Sequence, residues 1–230
     1  MDSAVKRRFA DRAEAARALA ARLADEHLPG PRVVLALPRG GVPIGAEVAR
    51  CLNAPLDLLL VRKIGAPWQS ELAVAALVDG ERPELVIDEE TSQATGASRA
   101  YIDAQAQIEW REIERRRALY LRGRTPAPVQ GTTAIVVDDG IATGTTVRAA
   151  LKALRRRGAA RIVLAVPVAP HDTLMALARE VDRVVCLAEP DPFRAIGLHY
   201  DDFHQVSDDE VIAALDAAAS NGRAAGRAPA

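Results

Sequence analysis

The stretch from Ala134 to Thr146, AIVVDDGIATGTT, restricts the fold more than any other part of the chain. A continuous apolar run, Ala134 to Val137, ends in two adjacent carboxylates, Asp138 and Asp139, and gives way to Gly140, Gly144 and the threonines Thr143, Thr145 and Thr146. Beyond them Val147, Leu151 and Leu154 recur at i, i+4 and i+7, the spacing of one helix face. A run without polar alternation suits a strand of a parallel sheet that is covered on both faces. Paired acids at its end are not packing residues, because each carboxylate would have to be desolvated or paired at a cost of several kcal/mol. The unit is a strand, a loop and a helix N-terminus, with the loop turned out of the core.

The same alternation recurs along the chain. Arg32 to Leu37 (RVVLAL) and Leu56 to Val61 (LDLLLV) are short apolar runs, the first followed by Pro38-Arg39-Gly40-Gly41 and the second ending in Arg62-Lys63. Between them Ile44, Val48 and Leu52 form a helical stripe after Pro43, a residue suited to a helix start. Ile162 to Val166 and Val184 to Leu187 predict two further strands, separated by a helix that holds Leu174, Leu177 and Ala178 with Asp172 as its cap. Asp11 to Asp25 reads as a surface helix with Ala15, Leu19 and Leu23 inward, and Ser207 with Glu210 as a capping box that opens a last helix. Strands alternating with helices imply right-handed crossovers and an α/β fold with a mainly parallel central sheet flanked by helices.

Residues from about 64 to 130 break this regularity. Leu72 to Val78 and Glu84 to Asp88 predict two strands joined around Asp79-Gly80, and Ser98 to Gly123 a helix with Ile102, Ala106, Trp110 and Ile113 on one face. The far end of that helix is rich in arginine, from Arg111 to Arg124. The expected organisation is one domain over 1–220, an insertion of hairpin plus helix at about 64–130, and a disordered tail at 221–230.

Composition narrows the partners. A net charge of -1 on 230 residues gives no global attraction to nucleic acid or anionic lipid, so a small-molecule ligand is expected and nucleic acid is not. No apolar run approaches the roughly 18 residues of a membrane span, which points to a cytoplasmic protein without membrane contact. Cys51 and Cys186 lie far apart in apolar settings and are expected to be buried, reduced thiols, and no His or Cys spacing suggests a protein-held metal.

Ligands of such sheets bind outside the carboxyl ends of the strands. A helix N-terminus with glycines and threonine hydroxyls makes a phosphate cradle, and the acids before it can accept hydrogen bonds from vicinal hydroxyls. A sugar phosphate satisfies both halves. The loop is not an ATPase phosphate loop, since no Gly-Lys-Ser/Thr follows, nor a dinucleotide fingerprint, since no GxGxxG is present.

VVDDGIATGTT closely resembles the phosphoribosyl-pyrophosphate (PRPP) signature of the type I phosphoribosyltransferases, and the similarity of strand and helix order spans roughly residues 33 to 190. The resemblance implies that Asp138 and Asp139 hold the ribose hydroxyls as the catalytic acids, and that Gly140, Ala142, Thr143, Gly144, Thr145 and Thr146 bind the 5-phosphate. It implies a pyrophosphate loop at Arg39, Gly40 and Gly41, often with a non-proline cis peptide, and gives Arg62 and Lys63 a basic role toward PRPP. A hood over the acceptor falls at about 189–206, with Phe193 or Tyr200 able to stack on an aromatic acceptor. The family also implies Mg2+ carried mainly through PRPP, a homodimer, and a pentosyltransferase reaction that moves the 5-phosphoribosyl group to a nitrogenous, nucleobase-like acceptor with release of pyrophosphate. The arginine-rich segment 111–124 falls where the family carries a mobile catalytic loop. The alternative is a non-catalytic PRPP-sensing regulator, or a nucleic-acid-binding protein, of the same fold.

Overall fold

The computed structural model describes residues 8–80 and 83–225. Five strands form the parallel sheet: β1 (Arg32–Ala36), β2 (Leu56–Leu58), β6 (Thr133–Val137), β7 (Arg161–Val168) and β8 (Arg183–Ala188), in the spatial order β2-β1-β6-β7-β8. The chain moves outward from β1 to β2 on one side and from β6 through β7 to β8 on the other. The strand order therefore reverses between β1 and β6, which pair in register from Arg32 opposite Thr133 to Ala36 opposite Val137.

The continuous apolar runs reflect burial on both faces. Val34, Ile135, Val137, Val163 and Ala165 face α1 (Arg12–Ala24) and α2 (Gly41–Leu52), meeting Leu19, Leu23, Ile44 and Val48. Val33, Leu35, Val136, Ile162 and Leu164 face the other way, toward α5 (Thr145–Arg156) and α6 (His171–Leu177), meeting Val147, Leu151, Leu154 and Leu177. Neighbours along a strand point to opposite faces, so a run such as Val33-Val34-Leu35 supplies both layers at once.

The insertion forms a second, antiparallel sheet of three strands, β3 (Val61–Ala66), β4 (Gln69–Val78) and β5 (Glu84–Ile87), in the order β3-β4-β5. The expected hairpin around Asp79-Gly80 is present as β4 and β5. Ala76, Val78 and Val86 join the core under α5. Ile64, Val74 and Ala75 pack with Ile102 of α4 (Arg99–Leu121), which starts at Ser98, whose side chain accepts from Tyr101 N.

Four expectations change. The run from Leu56 to Val61 is not one strand: β2 ends at Leu58, and the chain crosses through buried Leu59 and Leu60 into β3 of the other sheet. Arg62 and Lys63 accordingly lie inside β3, not at a carboxyl end of the parallel sheet. Pro170, not Asp172, is the N-cap of α6. Cys51 is exposed, because the apolar stripe of α2 leaves it outside; Cys186 is partly buried, and both are free thiols. A short helix, α3 (Glu89–Thr95), was also not expected.

The last helix, α7 (Asp208–Ala225), opens with the capping box: Ser207 Oγ accepts from Glu210 N at 3.2 Å, and Glu210 accepts from Ser207 N at 2.8 Å. It runs into the stretch expected as a tail, and residues 226–230 lie outside the described residues. No helix among the described residues is long and apolar enough to cross a membrane.

Candidate active site at the strand ends

Two loops meet where the strand order reverses. The segment 38–41 leaves β1 and enters α2, while the segment 138–144 leaves β6 and enters α5. Leu37 N donates to Val137 O at 2.9 Å, which carries the pairing of β1 and β6 one residue past the strands. The Pro38–Arg39 peptide bond is cis, as the resemblance implies.

Glycine is required in the first loop by contact rather than by backbone angle. Gly40 has an ordinary φ of -59°, yet a Cβ there would lie 2.5 Å from Cγ of Asp139 and closer still to Oδ2. A Cβ on Gly41 would lie 2.7 Å from Val137 O and 2.9 Å from Cα of Asp138. The two loops are therefore in direct backbone contact. Arg39 reaches away from them toward Asp208, with Nη1 3.6 Å from Oδ1. That carboxylate also accepts from the Tyr120 hydroxyl at 2.5 Å, and burial together with this bond pushes the Tyr120 phenol up to about 12.

The second loop carries the helix N-terminus. Gly144 sits in the left-handed region at φ 74° and caps α5, so that Thr145 opens the helix. Thr143 Oγ1 and Thr145 Oγ1 lie 3.3 Å apart at the mouth, with Ala142 and Thr143 exposed and Thr145 and Thr146 partly so. Thr173 of α6 donates to Ala142 O at 2.9 Å and holds the loop from behind. Opposite, Gly140 packs under Ile196, where a Cβ would come within 2.6 Å of Cγ2. Open backbone N–H groups at a helix start, flanked by hydroxyls, suit a phosphate.

The two acids differ. Asp138 is partly exposed and its Oδ1 accepts from Asp139 N at 2.8 Å. Burial and then the neighbouring Asp139 charge push its carboxyl well above the usual carboxylate range. Asp139 is only 8% exposed, and its Oδ2 accepts from Nε and Nη2 of Arg12 at 2.9 and 2.8 Å. Burial raises this carboxyl too, against the lowering effect of Arg12.

Arg12 is the residue that sequence reasoning missed. It lies on the buried face of α1 with Ala15, Ala16, Leu19 and Leu23. The signal was present: a cation in the first turn of a helix opposes the helix dipole, and this one also falls on the apolar stripe.

The hood segment contains a short 3-10 turn at Ile196–His199 and is held by the chain's first described residues. Phe9 N donates to His199 O, and Asp201 N and Asp202 N donate to Phe9 O and Ala10 O. Tyr200 is 1% exposed, packed between the tilted rings of Phe9 and Phe203, and its hydroxyl donates to Asp139 O at 2.6 Å. It has no open ring face and does not stack on an acceptor. Phe193 is partly exposed beside His199, with ring centroids 5.5 Å apart.

The remaining expected residues have these surroundings. Arg62 pairs with Glu109 of α4 at 2.6 Å, and Lys63 is exposed on the same strand. The arginine-rich end of α4 is a packed helix: Ile113, Tyr120 and Leu121 are buried. Glu112 takes Arg115 and Arg116, while Arg117 pairs with Asp79 and Arg124 with Asp216.

Comparison with known proteins agrees with this geometry. A family model, the phosphoribosyl transferase domain, matches residues 9–202. Two curated relatives from Mycobacterium tuberculosis strains CDC 1551 and H37Rv, each named as a candidate phosphoribosyl transferase, are 48% identical over 211 residues. That alignment covers 91% of this chain and 47% of each relative, so the chain spans about half the length of the curated relatives it matches. The crystal structure of TT1426 from Thermus thermophilus is 40% identical, covers 90% of this chain and 97% of that one, and superposes with a TM-score of 0.80. With the switch-point loops in place and the family model spanning both, the chain belongs to the phosphoribosyl transferase domain family.

Proposed function

We propose that the protein transfers the 5-phosphoribosyl group of PRPP to a nitrogenous, nucleobase-like acceptor and releases pyrophosphate. One observation carries this reading: the phosphate cradle after β6 and the glycine loop after β1 touch each other at the reversal of strand order. The 5-phosphate would rest on the amides and hydroxyls of 142–146, and the ribose against the acid pair. Pyrophosphate would face the amides of Arg39 and Gly40, with the Arg39 guanidinium swinging back from Asp208 to meet it. Arg62 and Lys63 would act from β3 only if Arg62 leaves Glu109.

Displacement at the anomeric carbon develops positive charge on the ribose and negative charge on the leaving group. A carboxylate beside the ribose and amides with a guanidinium beside the pyrophosphate stabilise both, and the sheet holds them in place before reaction. Mg2+ bound with PRPP would neutralise the leaving pyrophosphate. The described residues include no cluster of three His, Cys, Asp or Glu able to hold a metal, so PRPP oxygens and water would supply most of its ligands. Phe193 would be the aromatic that meets an acceptor, since it is partly exposed where Tyr200 is buried.

The regulatory alternative rests on the arginines at 111–124, of which Arg115, Arg116, Arg117 and Arg124 pair with Glu112, Asp79 and Asp216. The test is a screen of nucleobases and other small nitrogen compounds for PRPP-dependent pyrophosphate release. Acceptor-dependent release supports transfer. Ribose 5-phosphate formed without any acceptor would indicate a hydrolase instead.

A further inference from the structure

The acid pair after β6 is built asymmetrically. Asp138 is partly exposed and no arginine pairs with it among the described residues, whereas Asp139 is enclosed by three segments distant in sequence. From α1, Arg12 directs Nε and Nη2 at one oxygen, Oδ2. From the hood, Tyr200 donates to the Asp139 carbonyl. From the 38–41 loop, the Gly40 backbone lies so close to the carboxyl that a single added carbon does not fit.

Arg12 also connects these segments to each other. Its Nη1 donates to His204 O at 2.7 Å, and its guanidinium carbon lies 3.9 Å from the centroid of the Phe203 ring. One planar cation thus satisfies an acid, a hood carbonyl and a hood ring. A lysine offers a point charge and no such fork.

We propose that Asp139 is a positioning residue, locked by Arg12 to fix the hood and the 38–41 loop around the ribose, and that Asp138 is the acid that receives the ribose hydroxyls. This rests on the PRPP reading of the site. The rival role for Arg12 is that of a competitor, occupying Asp139 until ribose displaces it. The two roles differ in sign: removing a competitor tightens PRPP binding, and removing a positioning residue weakens it.

Calorimetric titration of PRPP with Mg2+ into the wild type, Asp138→Asn, Asp139→Asn, Arg12→Met and Arg12→Lys separates them. Absence of wild-type binding would remove the PRPP reading itself, and the variants are judged only against measurable wild-type affinity. Asp138→Asn should lose about tenfold or more in affinity, the scale of one charge-assisted hydrogen bond, with an unchanged or raised melting temperature. Asp139→Asn should lose less affinity than Asp138→Asn and melt lower. Arg12→Met should weaken PRPP by about three- to tenfold, with Arg12→Lys recovering part of the loss. Equal losses in the two Asn variants, no loss in Asp138→Asn, or unchanged or tighter binding in Arg12→Met would each overturn the proposal. Should Asp139→Asn fail to fold, the Arg12 variants decide, because both acids remain in place.

Discussion

Replacing Gly40 by alanine tests the contact on which the site is built. The backbone angles, φ -59° and ψ -33°, are open to any residue, so alanine meets no conformational penalty there. Its Cβ, however, would stand 2.5 Å from the carboxyl carbon of Asp139, where real contacts of this kind do not fall below 3.0 Å. Oδ2 lies closer still, so the carboxyl must retreat by about an ångström, a shift that packed interiors resist at about 1–3 kcal/mol. It cannot retreat freely, because Arg12 holds Oδ2 at 2.8 and 2.9 Å, and loosening a buried ion pair approaches the ~3–5 kcal/mol of breaking one. Nor can the loop back away, since Gly41 N is bonded to Leu37 O and Gly41 itself abuts Val137 O. The expected loss is about 3 kcal/mol, or roughly 6–12 °C in melting temperature for a domain of this size. Thermal and urea unfolding of Gly40→Ala measure it. In an Asp139→Ala background the obstacle is gone, and the cost of Gly40→Ala should fall below about 1 kcal/mol. A single variant as stable as the wild type, or additive losses in the double variant, would show that Gly40 and Asp139 are not in obligatory contact.

Three further outcomes follow from the same geometry. The folded-state carboxyl of Asp138 is raised, so it favours folding least once pH exceeds its folded value; Asp138→Asn should gain melting temperature over the wild type as pH rises from 4 to 8, and a pH-independent difference would contradict this. Tyr200→Phe removes the bond to the Asp139 carbonyl from a buried site and should cost about 1–3 kcal/mol in urea unfolding, whereas an exposed acceptor-stacking role would cost nearly nothing. Gly144→Ala forces a Cβ into φ 74° and to 3.0 Å from Thr173 Cγ2, so ribose 5-phosphate affinity should fall about tenfold by fluorescence or calorimetry; unchanged affinity would move the phosphate elsewhere.

Much of this arrangement was legible because buried parallel strands are short apolar runs and surface helices carry stripes. α1, α2, α4, α5 and strands β1, β6, β7 and β8 follow that rule within a residue or two. The misreadings have specific causes. LDLLLV stays apolar across a sheet change, and periodicity cannot distinguish one buried strand from two that meet at Leu59 and Leu60. α3 buries only Ser92 and so has no stripe to find. Tyr200 shows the same letters whether it lines a pocket or fills a core, and only the packing of Phe9 and Phe203 around it decides. Arg12 was hidden by composition, one arginine among several in an Ala- and Arg-rich helix, although its place on the apolar stripe sets it apart. The motif after β6 identified what the loop holds, while the division of work between its two acids depends on a partner 127 residues away.

We place PRPP in one site formed jointly by the ends of β1 and β6. Calorimetry of PRPP with Mg2+ against the wild-type protein tests it most directly, with inorganic pyrophosphate and ribose 5-phosphate as separate competitors. The expected result is a single saturable site per chain, weakened by either competitor, with pyrophosphate competition lost in Arg39→Ala and ribose 5-phosphate competition retained. No saturable PRPP binding, or competition by neither fragment, would contradict it.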